Sequence, residues 1–261
     1  MKKFVGAALA ALMIVGGSAI ATAKEWTKVR IATEGAYAPF NYVTPDGELA
    51  GFDVDIAKAL CAEMKVECTI VKQDWDGMIP ALLARKFDAI VAQMSITEER
   101  KKRVAFTDKY SNIGTRALVR KGSGIEVTEA GLAGKKIGVQ RETIQDKFLT
   151  AKFGNVAEIV RYPSQDEANL DMVAGRVDML FADPVSLEQN LLKGQWGKDF
   201  EFVGPEFRDP EWFGSGTGIA IRQDNPELVE MFNKAIVAIR ADGTYQAIAA
   251  RYFGFDPYGA D

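Results

Sequence analysis

Short apolar runs alternate with amphipathic segments along most of this chain. Ile56, Leu60 and Met64 recur at intervals of four, which is the spacing of one helix face. The predicted strands are residues 29–33, 67–71, 87–92, 136–140, 158–162, 177–181 and 218–222. The predicted helices are residues 75–84, 143–152, 226–241 and 245–252, with others that open at Asp53, Thr97, Ser164 and Pro184. Alternating strands and helices favour mainly parallel sheets flanked by helices, so the sequence predicts an α/β fold.

Two stretches of the chain resemble each other. Residues 84–91 and 174–181 both read as a helix end, a basic residue and a strand with Asp at its second position, Asp88 in one and Asp178 in the other. One matched pair is weak evidence for a repeat, but it suggests two bodies of similar construction.

The chain begins with an export signal pattern. Two lysines follow Met1, an apolar stretch runs from Phe4 to Ile20, and residues 21–23 are small enough for a cleavage site. The apolar stretch is short for a permanent membrane anchor, which is the alternative interpretation. We predict a signal peptide at residues 1–23 and a mature protein outside the cytoplasm, in the periplasm.

The composition excludes several kinds of chemistry. The formal charge is −4, and it becomes −6 if residues 1–23 are removed with their two lysines, so the basic surface that nucleic-acid binding requires is missing. The chain has no histidine, which excludes serine–histidine and cysteine–histidine nucleophiles and ordinary histidine metal sites. We therefore expect no metal, no cofactor and no nucleic-acid partner.

Only two cysteines occur, Cys61 and Cys68. Two cysteines cannot complete a tetrahedral thiolate metal site, and in an exported protein a disulfide is favoured over a pair of free buried thiols. The bond would join a helix end to the next strand.

Ligands of open parallel sheets bind beyond the carboxyl ends of the strands. The residues that follow the predicted strands there include acids, two arginines and flat aromatic rings, listed in chain order as Glu34, Tyr37, Asp74, Trp75, Gln93, Ser95, Arg100, Arg141, Glu142, Thr143 and Asp183. This set suits a compact ligand that carries both positive and negative charge.

Four segments carry a family resemblance: residues 34–40 (EGAYAPF), 51–57 (GFDVDIA), 95–100 (SITEER) and 241–245 (ADGTY). They resemble the periplasmic polar-amino-acid-binding proteins of ABC transporters (family 3), closest to the lysine/arginine/ornithine- and histidine-binding branch. The resemblance implies a two-lobed type II periplasmic binding protein fold. Lobe 1 would be residues 24–112 plus 214–261, and lobe 2 residues 113–213, joined by two crossing segments. The spacing of the cysteines also resembles the disulfide of that branch.

The resemblance implies roles for the residues that would hold the α-groups of an amino acid. Arg100 matches the arginine that clamps the α-carboxylate, a role that suits a bidentate guanidinium fork. Asp183 matches the acid that receives the α-ammonium, and Ser95 and Thr143 match residues near the α-groups. Without the resemblance, Arg100 would be read as a solvated helix charge and Asp183 as a cap for the helix at Pro184.

The resemblance implies that other residues would contact the ligand side chain. Tyr37 and Trp75 match aromatic residues that flank it, and flat rings favour a planar cation over their faces; packing in the core is the alternative. Glu34 matches the acid that pairs with the distal cationic group. Gln93 and Glu142 depart from the small residues common in relatives. Glu142 would either face the cleft or pair with its neighbour Arg141 outside it.

These matches lead to a functional expectation. The chain would be the solute receptor of an ABC importer for a basic L-amino acid, arginine first and then ornithine, lysine or histidine. It would be a monomer that closes on its ligand and then docks on a membrane permease, and it would not be an enzyme. The alternatives are an opine receptor, with Arg141 or Gln93 as an extra donor, a cyclic amino-acid dehydratase that shares the fold, and a ligand sensor.

Overall fold

The computed structural model describes residues 25–259, so the predicted signal peptide lies outside the described residues. The strands of the described region are β1 Lys28–Thr33, β2 Ala36–Tyr37, β3 Asn41–Val43, β4 Leu49–Ala50, β5 Glu67–Lys72, β6 Ala89–Ile90, β7 Ala105–Ser111, β8 Thr115–Arg120, β9 Lys136–Gln140, β10 Glu158–Tyr162, β11 Met179–Ala182, β12 Phe200–Phe207 and β13 Thr217–Ile221. They form two five-stranded sheets, β5-β1-β6-β13-β7 and β10-β9-β11-β8-β12, and a small three-stranded sheet, β2-β3-β4.

Both large sheets follow the same plan. The first three strands of each are parallel, the fourth is antiparallel to both of its neighbours, and the fifth therefore runs with the first three. Four strands of five thus point the same way in each sheet. We call the body built on the first sheet lobe 1 and the body built on the second sheet lobe 2. The α/β fold class with two lobes on mainly parallel sheets is confirmed.

The helices of the described region are α1 Phe52–Met64, α2 Met78–Leu83, α3 Glu98–Lys101, α4 Glu129–Leu132, α5 Ile144–Phe153, α6 Gln165–Val173, α7 Pro184–Leu187, α8 Pro210–Phe213, α9 Pro226–Ala241 and α10 Thr244–Ala249. The segment predicted as one helix from Trp75 is a 3₁₀ turn over Trp75–Gly77 followed by α2. Pro80 has no N–H to donate to the carbonyl of Asp76, so an α-helix can include Pro80 only in its first turn.

The internal resemblance has a structural counterpart. Asp88 precedes β6 and its carboxylate accepts the backbone N–H of Arg30 in β1 at 3.0 Å. Asp178 precedes β11 and accepts the backbone N–H of Lys136 in β9 at 2.8 Å. Each aspartate thus joins the central strand of its sheet to the neighbouring parallel strand. The two lobes share this device as well as their strand order.

Two segments cross between the lobes, residues 112–114 from β7 to β8 and residues 208–216 from β12 to β13. The chain then ends in lobe 1, where α9 and α10 pack on α1. The core there is aromatic: Phe52 lies edge-on to Tyr245 and to Phe253, with ring centroids 6.0 and 4.9 Å apart. The terminal helices therefore complete the core that the first third of the chain begins.

The disulfide prediction is confirmed. Cys61 near the end of α1 is bonded to Cys68 in β5, with 6.1 Å between the Cα atoms. Between residues 25 and 259, no helix is both long and apolar enough to cross a bilayer.

Candidate functional site

A cavity lies between the two lobes. It is lined by Glu34, Tyr37, Trp75, Ala92, Gln93, Ser95, Arg100, Ile113, Gly114, Thr115, Gln140, Thr143, Ile144, Gln145, Asp183 and Thr217. All eight predicted ligand-binding residues are among them. Six come from lobe 1, and Thr143 and Asp183 come from lobe 2.

The strand ends place these side chains together. Glu34 directly follows β1, Thr143 follows β9 as the N-cap of α5, and Asp183 follows β11 as the N-cap of α7. Parallel strands bring their carboxyl ends to one edge of each sheet, and the two edges face each other across the cavity. Residues that are far apart along the sequence therefore line the same cavity, Glu34 from lobe 1 and Thr143 and Asp183 from lobe 2.

Arg100 is a buried cation in the wall of the cavity. Its side chain is 8% exposed, and its Nη1 donates to the carbonyl oxygen of Ser95 at 2.9 Å. The guanidinium carbon lies 5.3 Å from the centroid of the Trp75 ring. Within residues 25–259, no ion pair of Arg100 is found. Burial lowers the pKa of Arg100 to about 10, because a guanidinium removed from water loses hydration, and the negative charges of Glu99 and Glu142 offset only part of that loss.

Glu34 is a buried group of the opposite charge to Arg100. It is 4% exposed, and its Oε1 accepts a hydrogen bond from Nε2 of Gln140 at 2.6 Å. No cation within ion-pair distance of Glu34 is found in the described part of the chain. Burial raises the pKa of Glu34 to about 8, against the opposing effect of the hydrogen bond from Gln140.

Asp183 combines the two roles considered for it. Its Oδ1 accepts the backbone N–H groups of Val185 and Ser186 at 2.8 and 3.4 Å, which is an N-cap. Its backbone N–H donates to the hydroxyl of Tyr37 in lobe 1 at 3.3 Å. Burial raises the pKa of Asp183 to about 7. Helix capping uses one carboxylate oxygen and leaves Oδ2 for a further donor.

The side chains of Gln93 and Thr143 already form hydrogen bonds to other groups of the protein. Nε2 of Gln93 donates to Asp53 at 2.9 Å, and its Oε1 accepts from the hydroxyl of Ser111 at 3.0 Å. The hydroxyl of Thr143 donates to the carbonyl oxygen of Gln140 at 2.7 Å and accepts the N–H of Asp146 at 3.1 Å. The proton of that hydroxyl is therefore not available to a ligand carboxylate in this arrangement.

Eight residues that line the cavity were not among the candidates of the sequence analysis, Gln140 among them, and three candidates, Asp74, Arg141 and Glu142, do not line it. Gln140, the last residue of β9, lines the cavity, whereas Arg141 and Glu142 do not. Arg141 forms an ion pair with Asp76 of lobe 1 and not with Glu142, so the expected pair between Arg141 and Glu142 is wrong. Glu142 lines a second pocket between the lobes, beside Trp75 and Arg100, and its role toward a ligand stays a prediction. The backbone of Glu142 has a φ of 60°, and this sharp turn directs the chain from Gln140 to the cap at Thr143.

Further contacts join the lobes around the cavity. Lys147 of α5 forms an ion pair with Glu99 of α3, which accompanies the Arg141–Asp76 pair. Nδ2 of Asn190 donates to the carbonyl oxygen of Ala38 at 3.3 Å. In both ion pairs lobe 1 supplies the acid and lobe 2 the base. The lobes are thus in contact on several sides of the cavity, which is a closed arrangement.

Comparisons with known proteins agree on a family. The family described as bacterial extracellular solute-binding proteins, family 3, matches residues 29–255. The L-arginine-binding protein of Pseudomonas aeruginosa is 51% identical over 234 residues, 89% of this chain and 90% of that protein. The histidine-binding periplasmic protein of Salmonella typhimurium is 45% identical over 233 residues, 89% of this chain and 90% of its own length.

Solved structures show the same architecture. An ancestral arginine-binding protein bound to arginine superimposes with a TM-score of 0.80 at 34% identity, covering 87% of this chain and 99% of that chain. The match over nearly the whole described length, in sequence and in structure, shows that the chain belongs to the bacterial extracellular solute-binding proteins, family 3.

Proposed function

We propose that this protein is the receptor of an ABC importer for a basic L-amino acid, with arginine as the first candidate. One observation carries the proposal. The cavity holds one buried guanidinium, Arg100, and two buried carboxylates, Glu34 and Asp183, and none of the three has an ion-pair partner within residues 25–259. Buried charges without partners are costly, so the pattern calls for a ligand of complementary charge.

A basic amino acid supplies all three partners. Its α-carboxylate would pair with Arg100, its α-ammonium with Oδ2 of Asp183, and its side-chain cation with Glu34. Such a ligand carries a net charge of +1, which balances the one positive and two negative charges of the cavity. A neutral side chain such as that of glutamine would leave Glu34 buried and unpaired. Tyr37 and Trp75 are the rings that would flank the side chain.

Closure of the lobes would couple binding to transport. Lobe 1 supplies Arg100 and Glu34, and lobe 2 supplies Asp183, so one bound molecule contacts both lobes and favours the closed form over an open one. The closed form would then dock on a membrane permease in the periplasm, after export with the signal peptide at residues 1–23. The lobe boundaries at residues 112–113 and 213–214 and the monomeric state belong to the same proposal.

An opine is less well matched than a basic amino acid. An opine has an extra carboxylate, which needs an additional donor. Arg141 is paired with Asp76 outside the cavity, and the amide of Gln93 is held by Asp53 and Ser111. The proposed function is binding rather than catalysis, because the three charged groups complete the recognition of an intact amino acid.

The proposal is tested by calorimetric titration. The protein without residues 1–23 is unfolded and refolded to remove bound ligand, then titrated with arginine, ornithine, lysine, histidine, glutamine and octopine. We expect tight binding of arginine or another basic amino acid and weak binding of glutamine. Binding of octopine alone, or of no member of the panel, would overturn the proposal. Chromatography of the incubated amino acids detects any product and so tests the dehydratase alternative.

A further inference from the structure

A buried carboxylate outside the cavity connects several of its walls. Asp53 lies in the first turn of α1, is fully buried and does not line the cavity. Its Oδ1 accepts hydrogen bonds from the hydroxyl of Tyr110 and from Nε2 of Gln93, both at 2.9 Å. Its Oδ2 accepts from Nδ2 of Asn41 at 2.8 Å. Three donors converge on this one side chain, and no cation accompanies them in the described residues.

The bond through Asn41 reaches the loop that carries Glu34 and Tyr37. Oδ1 of Asn41 accepts the backbone N–H of Gly35 at 2.8 Å, and Asn41 pairs with Tyr37 across the β2–β3 ladder. Because the N–H of Gly35 can only donate, the amide orientation of Asn41 is determined, and its nitrogen must face Asp53. The loop is thus held by a chain of two hydrogen bonds that ends on Asp53.

The bond through Gln93 reaches the other side of the lobe 1 wall. Gln93 has a φ of 49°, a backbone conformation that needs support from its surroundings. Its N–H donates to the hydroxyl of Tyr110 at 3.1 Å, and its Oε1 accepts from Ser111 at 3.0 Å. Ser111 is the last residue of β7, immediately before the crossing segment 112–114. The same network therefore extends from the Gly35 loop to the start of a connection between the lobes.

We propose that Asp53 is a positioning residue of the binding site. Through Asn41 it holds the segment that presents Glu34 and Tyr37, and through Tyr110 and Gln93 it holds the opposite part of the lobe 1 wall beside the crossing segment. This inference rests on the proposed function, because its measured consequence is the affinity for a basic amino acid. Asp53 itself does not touch the ligand.

An exchange of two residues tests the role. In Asp53→Asn, the amide nitrogen at position 53 meets that of Asn41, and the network loses an acceptor. In Asn41→Asp, two carboxylates meet. In the double variant Asn41→Asp/Asp53→Asn, the new amide donates to the new carboxylate, the carboxylate still accepts the N–H of Gly35, and the amide oxygen still accepts from Tyr110 and Gln93. Every donor keeps an acceptor, although the charge has moved.

Arginine affinity is measured by calorimetry, and thermal unfolding is recorded beside it. We expect each single variant to bind arginine at least tenfold more weakly than the wild-type protein, and the double variant to lie within about threefold of it, since an unsatisfied buried donor is costly. Ile236→Ala, a truncation in the lobe 1 core on α9, is the control that lowers stability without touching the network; its affinity should remain unchanged. Tyr110→Phe removes one hydroxyl and should weaken binding by roughly three- to tenfold, which covers the case in which a single charge variant fails to fold.

The outcomes separate the two proposals. If the wild-type protein binds no basic amino acid, the proposed function fails. If the wild-type protein binds arginine and the single variants or Tyr110→Phe bind it equally well, the role of Asp53 is overturned. A double variant that folds but binds no better than the single variants also overturns it. Recovery of both affinity and stability in the double variant supports the positioning role.

Discussion

Gln140 of lobe 2 donates a hydrogen bond to Glu34 of lobe 1, with 2.6 Å between Nε2 and Oε1. The bond crosses the cleft inside the cavity and ends on a carboxylate that has no cation beside it in the described region. Glu34 thus takes part in closure through one oxygen and in the proposed recognition of the ligand through its charge. The two contributions are separable by substitution.

Replacement of Glu34 by Gln is expected to separate them. The amide oxygen of Glu34→Gln can still accept from Gln140, so the contact between the lobes is retained and only the charge is lost. We expect arginine and lysine to bind roughly ten- to hundredfold more weakly, since a charge-assisted contact contributes about 1.5–3 kcal/mol, and neutral amino acids to change little. Asp74→Asn, at an exposed acid outside the cavity, is the matched control. Equal losses for charged and neutral ligands in a calorimetric panel would show that Glu34 does not read the side chain.

Replacement of Arg100 is expected to weaken the binding of all amino acids alike. Arg100→Ala removes the only cation among the residues that line the cavity, so the α-carboxylate common to every ligand loses its partner. We expect binding of all tested amino acids to fall below detection in calorimetry while the circular dichroism spectrum is retained. Arg103→Ala, one turn further on and exposed, is the control and should bind normally. Near-normal affinity of Arg100→Ala would contradict the carboxylate role.

Closure of the ligand-free protein should depend on pH. In the closed arrangement the pKa of Glu34 is about 8 and that of Asp183 about 7, whereas in an open form both carboxylates would face water with ordinary values near ~4. The closed form therefore binds more protons than the open form, and its relative stability increases as the pH falls from about 8 toward ~4. Asp53 is buried inside lobe 1 in either form and does not contribute to this difference.

An inter-lobe fluorescence resonance energy transfer pair on the ligand-free protein measures this effect. We expect the closed population to increase between pH 8 and pH 5, and Glu34→Gln/Asp183→Asn to reduce the response. A pH-independent distance in the wild-type protein would contradict the prediction. Circular dichroism at each pH excludes unfolding as the cause.

The ion pairs around the cavity should influence how fast a ligand leaves. Arg141 pairs with Asp76, and Lys147 with Glu99, between opposite lobes. Both pairs are partly exposed, and such pairs contribute ~0–1 kcal/mol each, so Arg141→Gln or Lys147→Gln should increase the dissociation rate by at most about fivefold. Added salt should reduce the difference from the wild-type protein. Stopped-flow displacement measures the rate, and Lys101→Gln, which breaks a pair within lobe 1, is the control.

The disulfide should stabilise the fold without affecting affinity. Cys61–Cys68 closes a short loop at the far end of α1 from the cavity, and the chain-entropy model gives about 2.5 kcal/mol for a loop of this size. We expect Cys61→Ser/Cys68→Ser to unfold at a lower urea concentration, with the free energy of unfolding reduced by that amount. The arginine affinity measured at 25 °C should be unchanged, and a parallel loss of affinity would indicate that α1 transmits the disturbance to the site.

The local pattern of the sequence was informative where short-range physics dominates. The long amphipathic helix α9 has the predicted bounds, and Thr97 and Ser164, where helices were predicted to open, are N-caps. The rule that ligands bind beyond strand ends, with the family resemblance, led to eight residues that line one cavity. Their roles toward a ligand stay predictions.

Tertiary structure decided which neighbours along the chain face the cavity and which do not. Gln140, Arg141 and Glu142 are consecutive polar residues, yet of these three only Gln140 lines the cavity, whereas Arg141 pairs with Asp76 of lobe 1. Asp53 read as an ordinary first-turn acid, although its carboxylate gathers donors from Asn41, Gln93 and Tyr110. The sequence by itself determined the helices, the caps and the charges available, since these depend on residues a few positions apart. The direction of each side chain and the partners of each buried charge depend on contacts between distant segments. Tyr37 and Asp183, for example, are 146 residues apart, and their contact forms only when the two lobes are folded and brought together.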